Sequence, residues 1–477
     1  MTGTGGAPAG GGGTTFRRED AVVLAATLGL GVAGALVLLG VGIPSLVSVI
    51  LLAASAVLAF LLPEAGLYAL LLNALIGLAG MAHLPRFGPL SMPVAFEAAL
   101  AAAVLFRAAR GRQKLFTAAP QHLLCLALGL WLIVSLLHSG RISVQDLTDV
   151  GHLFLVRVLV FLLLTNLVLT RPALRRLVAV LILGNAGLLL TSLLVRLGLF
   201  GMERIAVSEN VLVRTSAIVQ NPNNLAFDLT TMLILATAAA LHVKGWRLRG
   251  LLLLLAGLDV FAILTTLSRS GLVSLLAVLL FMIWKLRRDP AGLALGAALV
   301  FLVLVLVPAG LEMRFSRVAS IRDVSRIAYA RVGLEMALHN PVFGVGFGNY
   351  IAEFEKYNVV DLDEPSPSHN MYVNIASQMG FPALLIYAAI IGITWRRLAV
   401  MERELRAAGR PGAFVGSFGW AVQAAFVNLA VFGLSGDVQF EYSVFTMLGF
   451  GMLLYREHRS GPAAGLEGSA LAGSAAG

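Results

Sequence analysis

The chain has 477 residues, of which 58% are hydrophobic and 13% charged, with a formal net charge of +10 and a mean hydropathy of +0.89. A soluble domain carries about 25% charged residues, so a soluble enzyme is excluded. The positive charge does not point to nucleic acid, because the basic residues form short clusters between apolar runs, the pattern of the positive-inside rule.

The first fifteen residues, MTGTGGAPAGGGGTT, are Gly/Ala-rich and are expected to be disordered within a tail over 1–20. They lack the basic-then-apolar order of a cleaved signal peptide, so the first span is expected to stay in place. Fourteen apolar runs follow, at 21–40, 43–62, 65–82, 89–106, 121–138, 152–170, 173–199, 223–243, 249–267, 270–286, 292–308, 372–395, 412–434 and 440–456. Most approach or exceed the roughly 18 residues that mark a membrane span. Continuous Leu/Ala/Val runs, rather than period-2 alternation, select helices over barrel strands. The expected fold is all-α: a polytopic integral membrane protein with about 12–14 transmembrane helices. Residues 21–308 form the first transmembrane region, 309–371 one large periplasmic loop, 372–456 the C-terminal transmembrane helices, and 457–477 a second disordered tail. No internal repeat of the transporter kind is visible.

Placing the N-terminus in the cytoplasm puts Arg17/Arg18, Arg107–Lys114, Arg171/Arg175/Arg176, Lys244/Arg247/Arg249, Lys285/Arg287/Arg288, Arg396–Arg410 and Arg456/Arg459 on the inside. These segments hold most of the 35 Lys and Arg residues, and every other basic residue except Lys356 is arginine. Both termini are therefore expected to be cytoplasmic. Two outer connections are long, 200–222 and 309–371. In the second, Ile327, Ala330, Leu334, Ala337 and Leu338 have helical spacing. Asp323 or Ser325 is expected to cap that helix and Asn340-Pro341 to end it, with the helix lying on the outer membrane face.

Cys125 lies inside an apolar run and is expected to be a small packing residue. Gly344-Val345-Gly346-Phe347-Gly348-Asn349 has no preceding strand, so it is expected to be a tight turn rather than a nucleotide loop. Arg157 falls inside the sixth run, where an arginine is costly unless paired. Glu97, Asp228 and Asp259 are its possible partners, and the sequence does not choose among them. Asn221-Pro222-Asn223-Asn224 reads as a turn and helix start. Three further residues fall on the outer side by the charge-derived topology: Arg214, Arg269 and His369. Guanidinium groups stay charged and grip phosphate oxygens bidentately. A histidine at a helix N-terminus is kept neutral by the dipole and suits general-base work.

The stretch SRIAYARVGLEMALHNPVFGVGFGNY, a spacer, and SHNMYVNIASQMGFPALL, with LSRSGLV ahead of them, resembles the C-terminal signature of O-antigen ligases and O-antigen polymerases. The likeness covers residues 205–395, while the first 200 residues match only in hydropathy. The resemblance implies twelve spans, two fewer than the apolar runs suggest. It also implies inverting, metal-independent transfer of a glycan from an undecaprenyl diphosphate-linked donor to a lipid-linked saccharide acceptor. Arg214 and Arg269, with Arg326 as a further candidate, would then hold the donor diphosphate, and His369 would be the base. Arg157 is added to the diphosphate-binding set. Asn370, Tyr372 and Asn223 are expected to contact saccharide. No cofactor and no metal is expected, Asp361, Asp363 and Glu364 reading as a solvated acidic loop with an Asp-x-Asp metal motif as the alternative. The expected partners are the donor, the acceptor and membrane lipids, with no nucleic acid. The likeness leans to the ligase, whose acceptor is lipid A–core oligosaccharide. A polymerase using a second lipid-linked repeat is the alternative, and a transporter a more distant one.

Overall fold

The computed structural model describes residues 18–39, 45–76, 92–111, 119–140, 142, 156–197, 221–306, 319–410 and 412–460. Residues 1–17 and 461–477 of the expected tails, Arg214 and most of the 200–222 connection lie outside these residues, whereas 18–20 and 457–460, expected within the disordered tails, are helical and belong to the first and last helices. The described chain is helical, with no strand. The helices are α1 Arg18–Leu39, α2 Ser45–Leu61, α3 Pro63–Ile76, α4 Met92–Ala109, α5 Pro120–His138, α6 Val156–Leu167, α7 Arg171–Arg196 and α8 Pro222–His242. They continue with α9 Trp246–Thr265, α10 Arg269–Leu286, α11 Pro290–Leu306, α12 Ala319–His339, α13 Tyr350–Glu353, α14 Met371–Ala407, α15 Phe414–Phe432 and α16 Tyr442–Ser460.

Each of the fourteen apolar runs has its helix. Among the described residues, seven helices are long and apolar enough to cross a membrane. The protein is thus an all-α polytopic membrane protein. Its packing separates centre from rim. In α8, 89% of the apolar window is buried in the bundle, against 33% in the neighbouring α9, so α8 is central and α9 turns most of its surface to lipid. Helix α5 shows the rim pattern by residue. Leu123, Leu126, Leu130, Ile133 and Leu137 are exposed, whereas Cys125, Leu128, Leu132 and Leu136 are buried. These are two stripes of one helix at three- and four-residue spacing. Cys125 is buried and free, as a packing residue should be.

The basic clusters meet at one end of the bundle. Arg176 binds Asp20 and Glu64, Arg171 reaches Glu457, and Lys285 pairs with Glu402 at 2.7 Å. His458 contacts Glu404. Helix α14 runs twelve residues past the expected 372–395 span, to Ala407. The charged Arg396–Arg406 stretch continues the helix because Glu402 is held by Lys285 and by Arg406.

Helix α12 begins at Ala319, ahead of both expected caps. Neither Asp323 nor Ser325 is therefore the N-cap; in a helix interior such residues cost under about 1 kcal/mol each, too little to stop it. Of the expected apolar stripe, Ile327 is 74% exposed and Leu334 and Leu338 also face outward. The opposite face, with Val332 and Met336, packs with Val345, Tyr350 and Phe354 into a small separate core.

The glycine-rich segment forms the expected tight turn, and its position explains its composition. Val345 N–H donates to Ser377 O at 2.8 Å and Phe381 N–H to Pro341 O at 2.9 Å. The turn thereby docks on a break in α14 at Gly380, where φ is 76° and ψ 171°. The carbonyls freed by the break are met from α5: Trp131 Nε1 donates to Met379 O at 2.8 Å, and the Ser135 hydroxyl reaches Gln378 O at 2.8 Å. Irregular backbone at membrane depth persists only where such partners exist.

Candidate functional site

The candidate site lies at the end of the bundle opposite the basic clusters, around the short connection 433–441 between α15 and α16. Its backbone is fixed first. Met371 N–H donates to Gly433 O at 2.8 Å, and Asn370 Nδ2 to Leu434 O at 3.1 Å. Ser435 Oγ bonds Ser270 Oγ at 2.7 Å, tying in the first turn of α10 beside Arg269. That turn is itself capped by Ser268, which accepts from Gly271 N–H.

Asp437 is presented by this connection to the start of α14. Asn374 Nδ2 donates to Asp437 Oδ1 at 3.0 Å, and His369 Nδ1 stands 3.8 Å from Asp437 Oδ2. That spacing is an electrostatic contact rather than a formed hydrogen bond. His369 sits at φ 50°, a left-handed conformation uncommon for a non-glycine residue and characteristic of functional positions. Asn370 explains how it is held. Its side-chain oxygen accepts from the backbone N–H of Tyr372 and Val373, capping α14. The histidine is thus the residue just before a capped helix.

The electrostatics of the pair set two opposed tendencies. Burial pushes the His369 imidazole below its ordinary range, Asp437 pulls it back up, and the half-buried Arg326 guanidinium pushes it down. Burial raises the Asp437 carboxyl, while His369, Asn374 and Arg326 favour its charged form. The pair thus sets an imidazole whose charged form burial and Arg326 disfavour against a carboxyl that burial raises, with an arginine on α12 facing both.

A second cluster closes the other end of the connection. Asn224 Nδ2 donates to Glu441 Oε1 at 2.9 Å, and the Arg157 guanidinium lies 4.4 Å from the centre of the Tyr442 ring. Of the three acids considered as partners of Arg157, Glu97 faces it. Asp228 accepts from Ser443 Oγ at 2.6 Å, and Asp259 from Asn185 Nδ2 at 2.9 Å.

The expected site residues therefore divide. Arg326 faces His369 electrostatically, and Arg269 borders the same connection through its neighbour Ser270. Arg157 stands at its far end. Asn223 lies in the first turn of α8 next to Asn224, its backbone N–H donating to Asn221 Oδ1. The Asn370 side chain caps α14, and Tyr372 Oη donates to Ala430 O at 2.8 Å. Arg214 falls outside the described residues. Sequence reasoning missed Asp437 and Glu441. The available signal was two acids in a short connection at the histidine end of the bundle.

The fold and site define a polytopic all-α membrane protein that carries a histidine–carboxylate pair, faced by an arginine, at one end of its bundle. Comparison narrows the class. Residues 250–388 match the family model described as O-antigen ligase. The chain is also 27% identical over 203 residues to the teichuronic acid biosynthesis protein TuaE of Bacillus subtilis (strain 168), covering 39% of this chain and 41% of that protein. Both matches cover less than half of the chain, which spans about two fifths of that relative, and both support a likeness to the O-antigen ligase and polymerase family. The family match includes Arg269, Arg326 and His369, whereas Arg157, Asp437 and Glu441 lie outside it.

Proposed function

We propose that this protein transfers a glycan from undecaprenyl diphosphate to an acceptor hydroxyl, on the outer face of a bacterial inner membrane and without a metal. The observation that carries the reading is His369 held against Asp437 with Arg326 beside both. With Nδ1 turned to the carboxylate, Nε2 is the atom left to act as base. The acceptor O–H gives its proton to Nε2 as its oxygen attacks the anomeric carbon from the face opposite the leaving group. The bond from that carbon to the diphosphate oxygen breaks, its electron pair leaves with undecaprenyl diphosphate, and the anomeric configuration inverts. Arg269, Arg326 and Arg214 offset the charge developing on the diphosphate, a task suited to the guanidinium fork. Asn370 fixes the histidine through its cap, and Asn223 and Tyr372 border the space for saccharide. Asp437 orients the imidazole and stabilises the imidazolium that forms.

The ligase reading gives lipid A–core oligosaccharide as acceptor. A relative named for teichuronic acid biosynthesis, rather than for a ligase, supports the alternative in which a second lipid-linked repeat is the acceptor. The deciding experiment supplies purified protein with an undecaprenyl-diphosphate glycan and each acceptor in turn. Product on the core acceptor alone establishes a ligase, and chain growth without it a polymerase. Movement of intact donor across proteoliposomes without transfer would replace both with a transporter.

A further inference from the structure

The connection 433–441 carries Asp437 at its middle and is fastened at both ends. The first fastening, Gly433, Leu434 and Ser435 to Met371, Asn370 and Ser270, is described above. The second consists of Glu441 on Asn224 and Tyr442 on Arg157. Behind it stands Glu97 on α4, only 2% exposed and facing both Arg157 and Tyr442. The Glu441 carboxylate also faces Arg157.

Two acidic side chains thus face one guanidinium, which lies over an aromatic ring. A diphosphate drawn to Arg157 would have to compete with the stacked Tyr442 ring and with Glu97 and Glu441 for the same cation. Arg157 therefore makes a poor donor ligand and a good anchor. A half-buried guanidinium already stacked on a ring, with acidic side chains facing it, holds its neighbours in one geometry. Taking the proposed transfer reaction as its basis, we propose that Arg157 is a positioning residue. Acting through Tyr442 and Glu441, it sets the 433–441 connection so that Asp437 faces His369. Glu97, buried behind Arg157, backs that position.

The test uses the full chain in lipid nanodiscs, with Arg157→Met, Glu441→Gln and the milder Asn224→Ala, which removes one hydrogen bond to the connection. Three quantities are read: affinity for sugar-free undecaprenyl diphosphate, the pH dependence of single-turnover transfer, and the His369 pKa by NMR of histidine-labelled protein. Affinity should stay near wild type, while transfer falls by about 10- to 100-fold, the usual cost of a misplacement near 1 Å. The His369 pKa and the acidic limb should move to lower pH, the direction produced by withdrawing the Asp437 carboxylate while Arg326 on α12 still faces the ring. Arg157→Met should add little to Asp437→Asn. Weak diphosphate binding with an unmoved His369 pKa would make Arg157 a donor ligand and overturn the proposal, as would full additivity with Asp437→Asn. The NMR arm needs no turnover, so it decides positioning even if wild-type protein transfers to neither acceptor, a result that would sink the transfer reading instead. If Arg157→Met does not fold, Asn224→Ala decides by the same shift.

Discussion

His369 and Asp437 lie 68 positions apart in the chain, yet their side chains approach to 3.8 Å. Their opposed influences give a prediction of sign. The neutral imidazole is the proposed base, so activity falls as pH drops through the His369 pKa. Asp437 is the neighbour that raises that pKa, and Arg326 is one that lowers it. Asp437→Asn should therefore move the acidic limb to lower pH while reducing the plateau rate, because the base is weaker and no longer oriented. Arg326→Gln should move the limb to higher pH. Rate profiles of the two variants that shift in the same direction would contradict the pairing.

Gly380 tests the break in α14. Its φ of 76° is one that L side chains rarely adopt, and a Cβ there would meet Val342 O at 2.0 Å. Gly380→Ala should cost at least about 1–3 kcal/mol from backbone strain and push the glycine turn off the helix. Thermal unfolding in detergent should show a clear loss of stability, with transfer falling alongside it because His369 is carried by the same helix. Wild-type stability in that variant would mean that the helix can run through unbroken.

Much of this was legible from sequence, and the rest was hidden for identifiable reasons. The helices are legible because long apolar runs in lipid have few alternatives. The glycine turn was read correctly from the absence of a preceding strand. The helix that carries the 372–395 run continues to Ala407, which hydropathy does not show because its window closes at Arg396, while Glu402 finds Lys285 on α10. The stripe of Ile327, Leu334 and Leu338 on α12 was read as facing the outer membrane surface, and it is exposed; what no local pattern showed is the opposite face of Val332 and Met336, packed into a small core of its own. His369 and Arg326 stood out within a motif. Asp437 did not, because an acid in a short connection looks like any solvated turn. Its partner is set by how α15 and α16 dock against α14, which no local pattern records.

The 309–371 connection is expected on the outer side of the membrane. The chain has one cysteine, Cys125, and it is buried, so background labelling should be low. Glu355 is exposed on this connection. Glu355→Cys should react with an impermeant maleimide on intact spheroplasts. Labelling that needs lysis would invert the orientation and move the whole site to the cytoplasm.

The acidic segment gives a separate test. Asp361 and Asp363 are exposed on a turn closed by Asn358, whose side chain accepts from Leu362 N–H at 3.0 Å and donates to Leu362 O at 2.9 Å. If arginines neutralise the diphosphate, Asp361→Ala with Asp363→Ala should keep most activity, and EDTA should leave the rate unchanged. An EDTA-sensitive rate restored by magnesium or manganese would make these acids ligands and require a different charge balance at the leaving group.

The most discriminating comparison separates base from diphosphate ligand. His369 is proposed to touch the acceptor, whereas Arg269 is proposed to touch the donor. Removing a general base typically costs about 10²–10⁴ in rate. His369→Ala should lose transfer to that extent and still bind undecaprenyl diphosphate near wild-type affinity. Arg269→Ala should weaken both quantities, and the rate more than the affinity, because a charge-assisted hydrogen bond strengthens as the leaving group gains charge. Arg269→Lys should restore only part of the loss, since an ammonium cannot reproduce the two-pronged contact. Because Arg269 adjoins Ser270, which is bonded to Ser435, Ser270→Ala serves as the control for disturbance of the connection itself. That variant should lower the rate with donor affinity intact. Donor affinity measured beside single-turnover transfer for the four variants gives the answer. Normal turnover by His369→Ala would remove the base from the mechanism, and weak donor binding by that variant alone would move His369 to the phosphate site.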